Sequence, residues 1–277
     1  MKYANFFCCI AVTGLTACAF NSDRNAWNYD GSKTVALLDT EQFLPLQKRD
    51  DSGQLLPYDK TPNPYTKLKG RIDKTAINKY IDARRAFHAQ KYDLADQLLS
   101  ELSTQEPKLS GPWVMRGDIA AAQNNLPQAI EHYVTALDLN PINFNAYLRL
   151  AKSQRAQGHF YHAQNTYARA LALWSDGPEL HLNLGVLYDL YLNRPLRAQA
   201  HMEAYALLSG GDNNDALAWL DEIRQRTGIP STLKIIGPEG ELEMTSKIPP
   251  PKGPDVTIPD AKQARPQELA ATKTVED

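Results

Sequence analysis

The chain has 277 residues, 43 % of them hydrophobic and 22 % charged, with a formal charge of −2, enough for one or two domains with a sizeable core. No long run of Lys and Arg occurs, which excludes the clustered basic stripe that sequence-independent nucleic-acid binding needs. The only cysteines are Cys8, Cys9 and Cys18, so beyond residue 18 no disulfide and no Cys-based metal site can form.

Lys2 is the only charged residue before Asp23, and Phe6 to Leu15 is mostly apolar. Such a stretch is too short to span a bilayer and has the form of a signal-peptide core. It runs into Leu15-Thr16-Ala17-Cys18, which resembles the lipobox of bacterial lipoproteins. The resemblance implies removal of residues 1–17 and a lipid (palmitate among its chains) on the sulfur and amine of Cys18. Ala19 follows the cysteine where an aspartate would imply retention in the inner membrane, so the implied address is the outer membrane, facing the periplasm. Ala17-Cys18-Ala19 also fits ordinary small-x-small cleavage, under which Cys18 is lost and the product is secreted without an anchor.

Residues 18–73 are polar and turn-rich, with Asn21, Asp23, Asp30, Gly31, Gly53, Pro57, Pro62 and Pro64. The segment reads as a lipid-anchored tether; about 55 flexible residues span on the order of 40 Å. One apolar scrap, Val35 to Leu38, is a candidate short strand or helix that docks onto the rest.

Residues 74–226 are helical in pattern and periodic. Gly117, Ala151 and Gly185 lie 34 apart, as do Ala129 and Ala163, Tyr133 and Tyr167, and Ala136 and Ala170. A fixed period of this length marks a solenoid whose units bury their apolar faces only against neighbours. The clearest unit, 110–143, carries Trp113, Gly117, Ala129, Tyr133, Ala136 and Pro141. The set resembles the tetratricopeptide repeat (TPR), in which small residues let two helices approach and proline ends the second. Unit 144–177 repeats the frame with Ala151, Ala163, Tyr167 and Ala170. Unit 178–212 carries Gly185, with Ala198 one residue late, which predicts a longer turn between its helices. Unit 76–109 is degenerate, with Lys79 and Asp82 at places that are usually apolar.

A polar helix over 214–226 would cap the stack, started by Asn213 or Asn214 and ended by Gly228. Residues 227–277 hold Pro249-Pro250-Pro251 and read as a disordered, Pro-rich tail, partly polyproline II. The fold expected is therefore all-α: a TPR α-solenoid with a C-terminal capping helix between a disordered tether and tail.

No nucleophile elbow, phosphate loop or His-Glu-x-x-His motif occurs, so no catalytic residue is nominated and no enzyme is expected. The six histidines offer no ligand spacing, His159 and His162 straddling a turn, so neither metal nor cofactor is expected.

The TPR resemblance implies a concave groove lined by the first helices of the units. Its places fall on Tyr80, Arg84 and Phe87, on Val114 and Asp118, on Leu148, Lys152 and Arg155, and on Leu182, Val186 and Asp189. The guest implied is an extended peptide or amphipathic helix of a protein partner in the cell envelope. TPR lipoproteins of this size serve pilus, secretion, TonB-type and wall-enzyme machinery. The alternative is direct recognition of glycan or peptidoglycan, which needs aromatics converging with amides and carboxylates; Tyr80, Phe87 and Tyr147 are scattered in the frame. The groove could also be occupied by the protein's own termini.

Overall fold

A computed structural model describes residues 35–231 apart from 53, 54, 68, 69 and 71, and beyond them residues 233, 236, 237, 240 and 241. The lipobox, Cys18 and most of the tail lie outside the described residues.

Among the described residues nine α-helices follow one another: α1 (Lys74–His88), α2 (Tyr92–Gln105), α3 (Ser110–Ala122), α4 (Leu126–Leu139), α5 (Phe144–Ala156), α6 (Phe160–Leu173), α7 (Pro178–Val186), α8 (Pro195–Ser209) and α9 (Asn214–Thr227). They stack as hairpins α1/α2, α3/α4, α5/α6 and α7/α8, with α9 closing the end against α8. Beyond α9, Ile236–Gly237 and Gly240–Glu241 form a two-residue antiparallel pair, β1 and β2. The tail expected to be featureless thus carries a small local hairpin, and its start docks where Gln199 donates from Nε2 to the Ile229 carbonyl at 3.0 Å.

Local chemistry sets the hairpins. Asp73, Asn125, Asn143 and Asn213 each precede a helix and accept a hydrogen bond from a first-turn amide, satisfying one of the donors that a helix start leaves open. The first helices end on residues of positive φ: Gln90 (57°), Asn124 (59°) and Gly158 (81°). These recur at the 34-residue period and reverse the chain, a task that favours Asn and Gly.

The fourth hairpin breaks the period at Asn193 (φ 49°), one residue late. The expected longer turn is not where the extra residue goes. α7 continues into a π-helical turn over Leu187–Tyr191, closed by Leu192 N–H donating to the Leu187 carbonyl at 3.0 Å. The insertion is absorbed by widening the helix, as single-turn π-bulges do.

Packing explains the small residues. Ala129, Ala136, Ala151, Ala163, Ala170 and Ala198 are fully buried. A methyl group at Gly117 would stand 2.6 Å from Tyr133 Cδ1, and one at Gly185 would stand 2.6 Å from Met202 Sδ. The Tyr133 ring therefore fills the gap over Gly117 inside its own hairpin. Tyr167 is fully buried, Trp113 half-buried, and the Arg116 guanidinium lies 4.9 Å from the Trp113 ring centroid.

The described residues of 35–66 form a strap along the solenoid, and the Val35 to Leu38 scrap docks onto it. Asn165 grips the strap's backbone at both ends of its amide: Oδ1 accepts from Leu38 N–H and Nδ2 donates to the Ala36 carbonyl, each at 2.8 Å. Gln164 Nε2 donates to the Leu38 carbonyl at 2.8 Å. Farther on, Asp176 accepts from Tyr58 (2.7 Å) and from the amide and hydroxyl of Thr61 (2.7 and 2.6 Å), and Trp174 Nε1 donates to the Thr61 carbonyl at 2.8 Å. Burial pushes the Asp176 carboxyl up, but the bonds from Thr61 and Tyr58 outweigh it and hold the group below the usual carboxylate range.

The concave groove as a candidate partner site

The first helices α1, α3 and α5 lie side by side and present one face. Tyr80, Arg84, Phe87, Val114 and Asp118 converge there on a cavity of about 310 Å³. Leu148 and Leu182 are half-buried and pack against the core, and Val186 is half-buried. Lys152 is exposed on α5, three residues before half-buried Arg155.

Asp189 departs from its expected role. Arg226 Nη2 donates to both carboxylate oxygens at 2.7 and 2.8 Å, and Trp219 Nε1 donates to one at 2.9 Å. Its side chain is 3 % exposed, so this group fastens α9 and is not open to a ligand.

The cavity also has members that the sequence frame does not nominate: Tyr65 from the strap, and Asn143 and Arg149. Arg149 lies next to Leu148 in sequence, a place off the groove positions, yet its long stem turns its head inward. Its Nε donates to both Asp118 oxygens at 2.7 and 3.0 Å, and the Tyr133 hydroxyl donates to Asp118 at 2.8 Å. Burial pushes the Asp118 carboxyl up while Arg149 and Tyr133 pull it down, leaving it somewhat raised. Burial and the nearby Asp118 charge push the Tyr133 phenol well up. This network ties the second hairpin to the third beneath the groove floor.

Lys152 has its pKa lowered by desolvation first, then by Arg155 and Arg149, against a smaller opposing pull from Glu179. Arg155 Nη1 is buried without a hydrogen-bond partner, and its guanidinium lies 5.8 Å from the Tyr191 ring centroid on the π-turn.

A second polar cluster lies under the strap. The sequence offers no reason to pair His181 with His201, twenty positions apart, but their Nδ1 atoms meet at 2.9 Å. His181 Nε2 lies 2.8 Å from the Ser175 carbonyl, His201 Nε2 lies 2.9 Å from Thr40 Oγ1, and Thr40 Oγ1 lies 2.8 Å from the Tyr188 hydroxyl. With both rings neutral the donors have one arrangement, because a carbonyl only accepts. His181 donates to Ser175, His201 donates from Nδ1 to His181, Thr40 donates to His201, and Tyr188 donates to Thr40. Burial lowers His181 to about 4 and puts His201 well below its ordinary value, consistent with the neutral pair. Among the described residues no group of three or more His, Cys, Asp or Glu is arranged to hold a metal ion, and no described helix is long and apolar enough to cross a membrane.

Paired helices at this period, with glycine under tyrosine and alanine at each contact, are joined by one sequence observation: residues 117–158 match the TPR repeat family. A tetratricopeptide repeat is matched over that stretch. Human protein O-mannosyl-transferase TMTC1 is 32 % identical over 108 residues, which is 39 % of this chain and 12 % of that protein. The chain thus spans a small fraction of that relative's length. MamA from Desulfovibrio magneticus RS-1 is 16 % identical with a TM-score of 0.49, covering 57 % of this chain and 88 % of that one. A tetratricopeptide repeat protein from Parabacteroides merdae is 18 % identical with a TM-score of 0.48, covering 56 % and 62 %. The TPR solenoid is a scaffold for protein–protein interaction.

Proposed function

We propose that this TPR protein is a lipid-anchored scaffold of the outer membrane that faces the periplasm and holds a protein partner of a cell-envelope assembly in its concave groove. The observation that carries the reading is the convergence of Tyr80, Arg84, Phe87 and Val114 on one open cavity, with Lys152 exposed farther along the same face. An extended guest gains apolar contact and charge pairing there. The anchor rests on Leu15-Thr16-Ala17-Cys18, and machinery for pili, secretion, TonB-type energy transfer or wall enzymes is the setting that such an anchor implies.

Cys18→Ser should move the protein from the membrane pellet to the soluble fraction; retention in the pellet after a salt wash would remove the lipid from the reading. Cross-linking in intact cells should recover one protein partner through probes on α1 and α5 and none through probes on α9.

A second reading has an observation in its favour. Tyr65, Tyr80 and Phe87 converge with Asn143, Asn145 and Asp118, the aromatic-plus-amide set that glycan recognition needs, although Tyr147 is buried in the core and takes no part. Sedimentation of the purified protein with protein-free peptidoglycan decides between the two, since a scaffold for protein stays in the supernatant.

A further inference from the structure

The charge pattern of the groove follows from which ions are already committed. Asp118 is held by Arg149 and Tyr133, and Asp189 by Arg226 and Trp219. Asp118 and Asp189, two of the carboxylates at groove positions, are therefore neutralised from within. Arg84 on α1 and Lys152 and Arg155 on α5 make no ion pair with any described residue. Glu179 is the remaining acid near Lys152, and it does not outweigh Arg155 and Arg149. The face therefore carries an excess of positive charge at two separated places.

Arg155 adds positive charge at the α5 end, its guanidinium half-buried beside the Tyr191 ring. A neutral sugar leaves the charges of Arg84 and Lys152 unmatched, so a protein guest fits better than a glycan. Between the two basic places the lining is mixed, with Tyr80, Phe87 and Val114 beside Asn145, Arg149 and the paired Asp118.

The spacing can be bounded. Packed helix axes stand 8–10 Å apart as a rule, which puts α1 and α5, two spacings apart, on the order of 20 Å from each other. An extended chain covers that in about six residues. We propose that the groove takes an extended protein segment with two acidic clusters about six residues apart. The proposal rests on the groove being the docking face, and the test separates the two.

The test selects peptides of about 12 residues, long enough to bridge the groove, from a random displayed library. The bait is the full chain in detergent micelles, as wild type, Arg84→Glu, and the double variant Lys152→Glu/Arg155→Glu. Wild type should enrich peptides with paired acidic clusters. A resynthesised winner should bind roughly tenfold or more weakly to the double variant, and equally so when its own Glu and Asp become Gln and Asn. The swap on the peptide side needs no change in the protein, so it holds even if a variant fails to fold; Lys152→Gln/Arg155→Gln serves as the milder pair, and Lys152→Arg should retain binding. Neutral or basic winners that are lost in the double variant would overturn the acidic guest and leave the groove standing. Winners that bind all baits alike would place docking elsewhere and sink both statements, as would a selection with no winners.

Discussion

At the residue scale, the buried histidine pair makes the fold sensitive to acid. His181 has a folded pKa of about 4 against an ordinary 6.5, so between those values the unfolded chain binds the proton that the folded chain refuses. Stability is then full above about pH 6.5 and is lost as pH falls toward about 4; His181 alone contributes on the order of 3 kcal/mol to that loss. The groups facing the pair keep the sign. Asp176 favours charged His181, but burial outweighs it; Arg197, itself paired with Glu41 at 2.9 Å, disfavours charge on His201; Tyr188 and Thr40 supply dipoles only. Urea unfolding at pH 7 and pH 5 should show this loss, and replacing both histidines with Asn should flatten the dependence; an unchanged slope would assign acid sensitivity to other groups. The pair also marks a limit of reading by sequence. Ligand spacings are local by construction, whereas His181 and His201 meet because α7 and α8 pack as a hairpin.

At the element scale, the repeat frame places every first-helix turn, because a left-handed residue is a local requirement that Asn124 and Gly158 meet openly. It misplaces the inserted residue of the fourth hairpin. A π-turn and a longer loop contain the same residues, and the choice is made by which side chains must stay in register. The π-turn keeps Gly185 against Met202 and sends Asp189 to α9. Asp189→Asn should therefore loosen α9 selectively, costing about 1–2 kcal/mol for a partly buried charged bond. Hydrogen exchange should rise over 214–227 with α3–α6 unaffected; a uniform rise would mean that α9 and the hairpins unfold as one unit. The groove positions are legible to the extent that they lie on helix faces, and Tyr80, Arg84, Phe87, Val114 and Asp118 line one cavity. Arg149 and Asp189 were not, because a long or charged side chain goes where its counter-ion is.

At the scale of the whole molecule, the strap changes how the solenoid is held. Docking from Val35 onward leaves residues 19–34 between Cys18 and the first docked residue. Sixteen residues reach at most about 55 Å even fully extended, whereas the whole of 19–73 would allow roughly three times that. Under the lipid-anchor reading, the third and fourth hairpins are kept near the membrane. Asn165→Ala with Asp176→Ala removes most of the side-chain bonds that grip the strap at both ends and should make Lys48 and Lys60 sensitive to trypsin while the helices persist by circular dichroism. Resistance equal to wild type would mean that Gln164, Trp174 and the apolar packing of Phe43 and Tyr65 hold the strap without those bonds.

The sequence by itself determined the repeat: helices, turns and core alanines follow from spacing, since each hairpin packs only against its neighbours and each neighbour repeats the same chemistry. It also determined the short apolar start and the motif around Cys18. Tertiary structure alone decided the strap, the histidine pair, the π-turn and the division of groove ions into committed and free. Each of these depends on partners that only packing brings together or on a choice between equal local options. Periodic sequence encodes nearest-neighbour packing, and non-periodic segments such as residues 35–66 acquire their place only from the surface that the repeats have built.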